Sequence, residues 1–231
     1  MKGIMKVLFL LLLIFVLLVP WTSLVKSSPL LVQNDPQNLC IRADALFIDG
    51  NAQLAAAASS GNGSLGFPYI IKDKIINATG LEIDGIRIQN TTAHFLLKNC
   101  TIRDAEAGIR LNNVTNARIE NNTLDHNDYG IWLSHCTKNN LTNNTDYWSL
   151  SGIRLSSSTK NNLTGNIIHE GYQGGIWLQD SHDNALTSNT VLDNWLFGFE
   201  LDASHNNTLT ANTLNNPQYA GIYLHDSDKN T

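Results

Sequence analysis

Proline, cysteine and methionine are scarce in this chain of 231 residues, at 5, 3 and 2, and only 15% of its residues are charged. Cys40, Cys100 and Cys136 are an odd set whose spacing fits neither a disulfide framework nor a metal motif, so each reads as a small core residue. Met1 and Met5 both fall at the very start, which leaves the rest of the chain without thioether ligands for copper(I). Basic residues number 15 against 20 acidic ones, a net charge of −5. Loss of Lys2, Lys6 and Lys26 with a leader would make it 12 − 20 = −8, so nucleic acid is excluded as an expected partner. The unbroken apolar run from Val7 to Val19 is too short to span a bilayer. With Lys2 and Lys6 before it and Pro20 after it, the run reads as an export signal over residues 1–27. The alternative is an uncleaved anchor that borrows Trp21, Leu24 and Val25. Either way the chain is expected to be secreted or displayed at the cell surface, with membrane contact only through this segment.

Asparagine is abundant instead, and 16 glycines accompany it. That composition suits a chain that turns tightly and often, and excludes an ordinary helical bundle. The turns are periodic. Gly108-Ile109-Arg110-Leu111 returns as Gly130-Ile131-Trp132-Leu133, Gly152-Ile153-Arg154-Leu155, Gly175-Ile176-Trp177-Leu178, Gly198-Phe199-Glu200-Leu201 and Gly221-Ile222-Tyr223-Leu224, with a weaker copy from Gly85. Each period, from one of these glycines to the next, holds three short apolar stretches separated by Asn-rich turns such as Asn121-Asn122-Thr123. Three strands and three turns make one coil of a solenoid, and stacking pairs each strand with its copy about 4.8 Å away in parallel register. The predicted fold is all-β, a right-handed parallel β-helix over residues 67–231 whose first strands are Phe67–Ile71 and Lys74–Ile76. Residues 28–66 are expected to form an N-terminal extension and cap, irregular through residue 50 and helical from Ala52 to Ser60. The last coil stops at Asn230-Thr231 with no visible cap, so the repeats are expected to be C-terminally incomplete: either the sequence is a fragment of a longer protein or its last coil is covered by another chain, and the isolated chain is expected to self-associate through that edge.

Aligning the coils puts Asn122, Asn144, Asn166, Asn189 and Asn212 in one column, with Cys100 continuing it backwards, and Asn139, Asn161, Asn184, Asn207 and Asn230 in a second. Amides at strand spacing can donate to one neighbour and accept from the other, so both columns read as structural ladders.

The Gly-Ile-x-Leu starts, the Asn-Asn-x-Leu-Thr turns and the stretch from Ile48-Asp49-Gly50-Asn51 to Pro68-Tyr69-Ile70-Ile71 resemble right-handed parallel β-helix repeat proteins of the pectin-lyase-like kind. The nearest subgroup is the one named after the periplasmic copper-binding NosD proteins, common among archaeal surface proteins. The wider group includes pectate lyases, polygalacturonases and uronan epimerases, so the resemblance implies polysaccharide as partner. Its matching residues build the solenoid and carry no catalytic motif.

In the Gly-Ile-x-Leu strands the residue between the two apolar ones points outward, giving an exposed stripe of Arg87, Arg110, Trp132, Arg154, Trp177, Glu200 and Tyr223. Aromatic faces can stack on sugar rings and guanidinium groups can hold carboxylates, so Arg87, Arg110, Trp132, Arg154, Trp177 and Tyr223 are the candidate carbohydrate-binding residues. The competing reading is that Arg–Trp stacking simply stabilises an exposed sheet. No catalytic set is assigned. Turnover by a lyase, hydrolase or epimerase would fall to the corner before the Gly strands, where Asp125, His126, Asp128, His169, Glu170 and Asp193 gather, and Asp146 occupies an inward column otherwise held by Leu124 and Ile168. His182 and His205 share a column and are the candidate metal ligands, but two ligands are not a site, and no cofactor is expected. The function expected is non-catalytic binding or display on extracellular polysaccharide, with an enzyme, a structural surface module or a NosD-like metal-handling protein as alternatives.

Overall fold

The computed structural model describes residues 45–231; the export segment and Cys40 lie outside the described residues. The chain winds through three parallel sheets. The first sheet has eight strands, in chain order Leu46–Asp49, Ile86–Thr91, Ala107–Val114, Tyr129–Ser134, Ser151–Ser156, Gly174–Gln179, Phe197–Asp202 and Ala220–His225. The second and third sheets have seven strands each, starting at Tyr69–Lys72 and Ile75–Asn77. Register follows the sequence repeat: Ile109, Ile131, Ile153 and Ile176 stack, as do Leu111, Leu133, Leu155 and Leu178, and all eight are buried. The second sheet adds Leu97, Ile119, Leu141, Leu163 and Leu186 to the same core, and the third adds Ile102, Leu124, Ile168 and Val191.

The repeated glycine has a steric cause, because none of Gly85, Gly108, Gly130, Gly152, Gly175 and Gly198 has a left-handed backbone. A Cβ at Gly108 would stand 2.8 Å from Leu124, at Gly152 2.5 Å from Ile168, and at Gly175 2.3 Å from Val191. Each glycine clears room for the inward side chain that its neighbour strand in the third sheet sends across. The left-handed backbone falls instead at four corners per coil. In one coil these are Asn121, His126, His135 and Lys138, with φ between 53° and 57°. Each is followed by a buried small or amide residue: Asn122, Asn127, Cys136 and Asn139.

Those buried residues satisfy the corners. In the first Asn column, Nδ2 of Asn144 donates to Oδ1 of Asn166 at 3.0 Å and to the Ile119 carbonyl at 2.9 Å, while the Asn144 backbone N–H donates to the same Oδ1 at 3.0 Å. The pattern repeats from Asn122 to Asn212, and the Cys100 backbone N–H donates into its head at 3.0 Å. The second column repeats it from Asn139 to Asn230. A third ladder, which the sequence does not announce, joins them: the backbone N–H groups of Cys136, Ser158, Ser181 and Ser204 each donate to the hydroxyl one coil on, ending at Ser227. Cys100 and Cys136 are buried free thiols, and burial pushes the Cys136 thiol up to about 11, so both behave as core residues.

The N-terminal part of the described chain departs from expectation in two places. The stretch read as irregular contains the strand Leu46–Asp49, which pairs in parallel with Ile86–Gln89 and forms the first rung. The sequence conceals it because Phe47 faces outward where the other copies mostly carry Arg or Trp, and because no Gly-Ile start marks it. The helix runs Gly50–Ala57, starting before Ala52 and ending short of Ser60, because the chain turns directly out of that strand. Its Leu54 is fully buried in the core cluster and the Asn51 amide holds Thr92 and Ala93, so the helix is fixed to the first coils.

Candidate functional site

The outward stripe on the first sheet forms in the expected register, with Arg87, Arg110, Trp132, Arg154, Trp177, Glu200 and Tyr223 on successive strands. Its groups face one another. The Arg110 guanidinium sits 4.0 Å from the Trp132 ring centre, Arg154 lies 5.0 Å from Trp132 and 4.0 Å from Trp177, and Arg87 lies 5.9 Å from Phe47. Both faces of Trp132 and one face of Trp177 are therefore covered by cations. The indole N–H of each tryptophan is buried and meets no hydrogen-bond acceptor among the described residues. Arg110 is bound by Asp84 at 2.9 Å and Glu106 at 2.7 Å, and Arg154 donates to Ser156, Tyr129 and Gln179. Burial pushes the Glu200 carboxyl up, and nearby Asp202 adds to the shift. Tyr223 closes the stripe against Phe197, with ring centres 4.8 Å apart.

Rings more exposed to solvent lie elsewhere, on the corner between the third and first sheets. Trp148, Tyr172, Trp195 and Tyr219, from four successive coils, are exposed at 52%, 57%, 44% and 65%, and Tyr147 is exposed beside them. Tyr172 and Trp195 lie 4.6 Å apart at 57°, and His126 packs 5.1 Å from Trp148. The same ridge carries the acid corner. Asp125 bonds His126 Nδ1 at 2.6 Å, His169 Nε2 lies 3.4 Å from Asp193, and His169 Nδ1 lies 3.9 Å from Glu170. Asp125, Tyr147 and His169 stack as one outward column of the third sheet, and Asp128 stands exposed in the adjoining turn. Asp146 does not join them. It points inward beneath Gly130, accepts from Ser149 Oγ at 2.6 Å, and leaves Oδ2 buried without a partner among the described residues. Burial pushes its carboxyl well above the usual range, and the nearby Asp125 charge adds to the shift.

The aromatic ridge escapes a reading of the sequence, although Trp148, Tyr172, Trp195 and Tyr219 recur once per coil. Tyr172 and Trp195 share a column, but Trp148 and Tyr219 fall one position to either side of it, so alignment on the glycines scatters the set.

His182 and His205 do stack, with ring centres 5.1 Å apart and planes within 10°. Their Nδ1 atoms accept the backbone N–H groups of His205 and Asp228, at 3.0 and 2.9 Å. Each neutral imidazole then carries its proton on Nε2, so the pair extends the ladder chemistry and presents no converging lone pairs to a cation. Among the described residues no three His, Cys, Asp or Glu side chains cluster in a way that holds a metal.

The solenoid is similar to solved structures. The periplasmic alginate epimerase AlgG superposes with a TM-score of 0.59 at 19% identity, over 70% of this chain and 50% of that one. The DFA-IIIase from Arthrobacter chlorophenolicus A6 superposes with a TM-score of 0.53 at 12% identity, over 70% of this chain and 56% of that one. This chain thus spans about half the length of those proteins, and at such identities the likeness is one of fold. No curated protein sequence matches it. The family model NosD, described as periplasmic copper-binding protein, matches residues 68–231, which is most of the chain and nearly all of its solenoid, and the chain belongs to that family.

Proposed function

We propose that this chain is an exported β-helix protein that binds neutral polysaccharide along the aromatic ridge without cutting it. The observation that carries this reading is the row of exposed rings from Trp148 to Tyr219, one from each of four coils. Successive coils are about one strand spacing apart, so the four rings span a stretch long enough to meet more than one sugar unit. An aromatic face stacks on the C–H face of a sugar, and Asp125, Glu170 and Asp193 beside the rings accept bonds from hydroxyl groups. The same carboxylates repel polyanions. The Arg–Trp stripe contributes less than expected, because its ring faces and guanidinium groups are already engaged with each other. The periplasmic family description supports an envelope location. Its copper does not fit the described residues: His182 and His205 accept backbone N–H groups and both described thiols are buried, so no chemistry here is routed through a metal.

Affinity electrophoresis of the full chain in gels containing neutral glucan, neutral galactan or alginate tests the reading. Retardation is expected with a neutral glycan. Trp148→Asn with Trp195→Ala, the first keeping a residue suited to the left-handed corner, should weaken it by about tenfold per ring. Trp132→Ala with Trp177→Ala should leave it largely intact. Retardation unchanged in the ridge variant would overturn the assignment.

A second reading rests on the ridge's two His–carboxylate pairs around Tyr147, and on the alginate epimerase among the similar folds. It requires new reducing ends, unsaturated products or altered uronate composition after incubation with polysaccharide; the binding reading expects none.

A further inference from the structure

A cavity of about 230 Å³ opens away from the ridge, between the loop before Tyr69 and the outer face of the second sheet. Its loop wall is built to hold a shape. Ile70 and Ser60 form an antiparallel bridge, Asn62 N–H donates to the Phe67 carbonyl, and His94 N–H donates to the Gly63 carbonyl. Gly61 has φ +102°, and a side chain there would collide with the Pro68 carbonyl, so the loop closes only with glycine at that point.

Leu65 and Pro68 line the loop side of this cavity, and His94, Arg118, Lys138 and Asn140 line the sheet side. The two sides differ in chemistry. Lys138 has no carboxylate within ion-pair distance among the described residues, and the His94 ring makes no hydrogen bond to them, so both remain free to bind. The Asn140 Oδ1 accepts from Asn162, which leaves its N–H groups available. Arg118 commits Nε and Nη2 to Glu120 at 2.7 Å and retains its other N–H groups. A second observation also points to an anion. Thr137 and Thr159 bridge in parallel, so Lys138 and Lys160 follow on adjacent coils; Asp183 takes the same corner one coil beyond Lys160, whereas the coil before Lys138 places Asn116 there, so Lys138 has no acidic residue at either neighbouring corner. A lysine with a like charge on one side and an amide on the other is relieved by an anion.

From this juxtaposition of a built apolar wall and unneutralised donors, we infer that the cavity is a binding site for a small organic carboxylate the size of one six-membered ring. The volume lies below the range of sites that enclose larger ligands, which limits the occupant to a single ring. The ring's apolar face meets Leu65 and Pro68, and its carboxylate meets Lys138, with Asn140, Arg118 and His94 as further donors. The site is separate from the ridge in residues and in charge, so its test and that of the ridge fail independently.

Titration calorimetry of the full chain with sodium glucuronate, sodium benzoate and glucose decides it. Saturable millimolar binding of glucuronate, of benzoate or of both, with none of glucose, is expected; which acid binds tells a sugar acid from an aromatic one. Lys138→Asn is the diagnostic variant, because Asn116 and Asn206 already occupy the same left-handed corner in other coils, so the fold is kept while the charge is lost. It should weaken carboxylate binding at least tenfold, and Leu65→Ser should weaken it severalfold, both with unchanged circular dichroism. Absence of saturable binding to either acid, equal binding of glucose, or carboxylate binding unaffected by Lys138→Asn in the folded variant would overturn the assignment.

Discussion

Asp146 holds a carboxyl where the coils before and after it place Leu124 and Ile168. Its folded-state value is raised, so the folded protein binds a proton that the unfolded chain has released. Between about 3.8, the ordinary value, and the raised value, stability falls as pH rises. Below that window both states are protonated and the penalty vanishes. Asp146→Leu fits the space, because Leu124 already sits beneath Gly108 in the same relation. The change removes a buried oxygen without a partner and should stabilise the protein at pH 7 by about 1–3 kcal/mol, or roughly 2–12 °C in Tm. Melting curves of the two proteins should converge near pH 4 and separate towards neutrality. A variant less stable than the parent at pH 7 would show that the Ser149 hydrogen bond outweighs the buried charge. The inward direction of Asp146 was legible from column alignment alone. The Ser149 hydroxyl that donates to its Oδ1 was not, because serine is too common in turns to mark a partner.

At the scale of one element, the Asn ladders hold the corners and the exposed amides do not. The Asn166 side chain takes part in four bonds: its Oδ1 accepts from Asn144 N–H and Nδ2, and its Nδ2 donates to Asn189 and the Leu141 carbonyl, all between 2.9 and 3.0 Å. Asn166→Ala strands the Leu141 carbonyl and the Asn144 donors inside the coil, at about 3 kcal/mol, or roughly 6–12 °C in Tm. Asn162 is exposed and its side chain donates to Asn140 alone, so Asn162→Ala should fall within about 0.5 kcal/mol of the parent. Equal melting temperatures for the two variants would remove the ladder as the stabilising element. Ladders and strand register were legible because identical residues recur at identical offsets. The serine ladder had the same periodicity, but serine is too common in turns for a column of it to stand out. The strand Leu46–Asp49 and the aromatic ridge were missed for the opposite reason, since neither repeats any marker at a fixed position.

At the scale of the whole solenoid, each coil bonds to the coil before it and the coil after it through the same set of groups, so it should behave as a one-dimensional stack. Asn161–Asp183 is one complete period, beginning at a ladder asparagine and ending at a left-handed corner. A second copy inserted after Asp183 places its first asparagine in the Asn139 column and hands the chain back to Asn184, with every ladder donor facing an acceptor. Both sheet register and glycine clearance carry over, because the copied Ile168 meets the original Gly175 as Ile168 meets Gly152, and the copied Gly175 then meets Val191. Such an insertion should lengthen the particle by about 4.8 Å in small-angle scattering and leave Tm unchanged or higher. It also adds one more Tyr172 to the ridge, so affinity for a long neutral glycan should rise while affinity for a disaccharide stays constant. A loss of more than about 10 °C on insertion, or an aggregated product, would mean that the coils are coupled beyond their nearest neighbours. The stack would then be a single cooperative core, and the ridge could not be extended coil by coil.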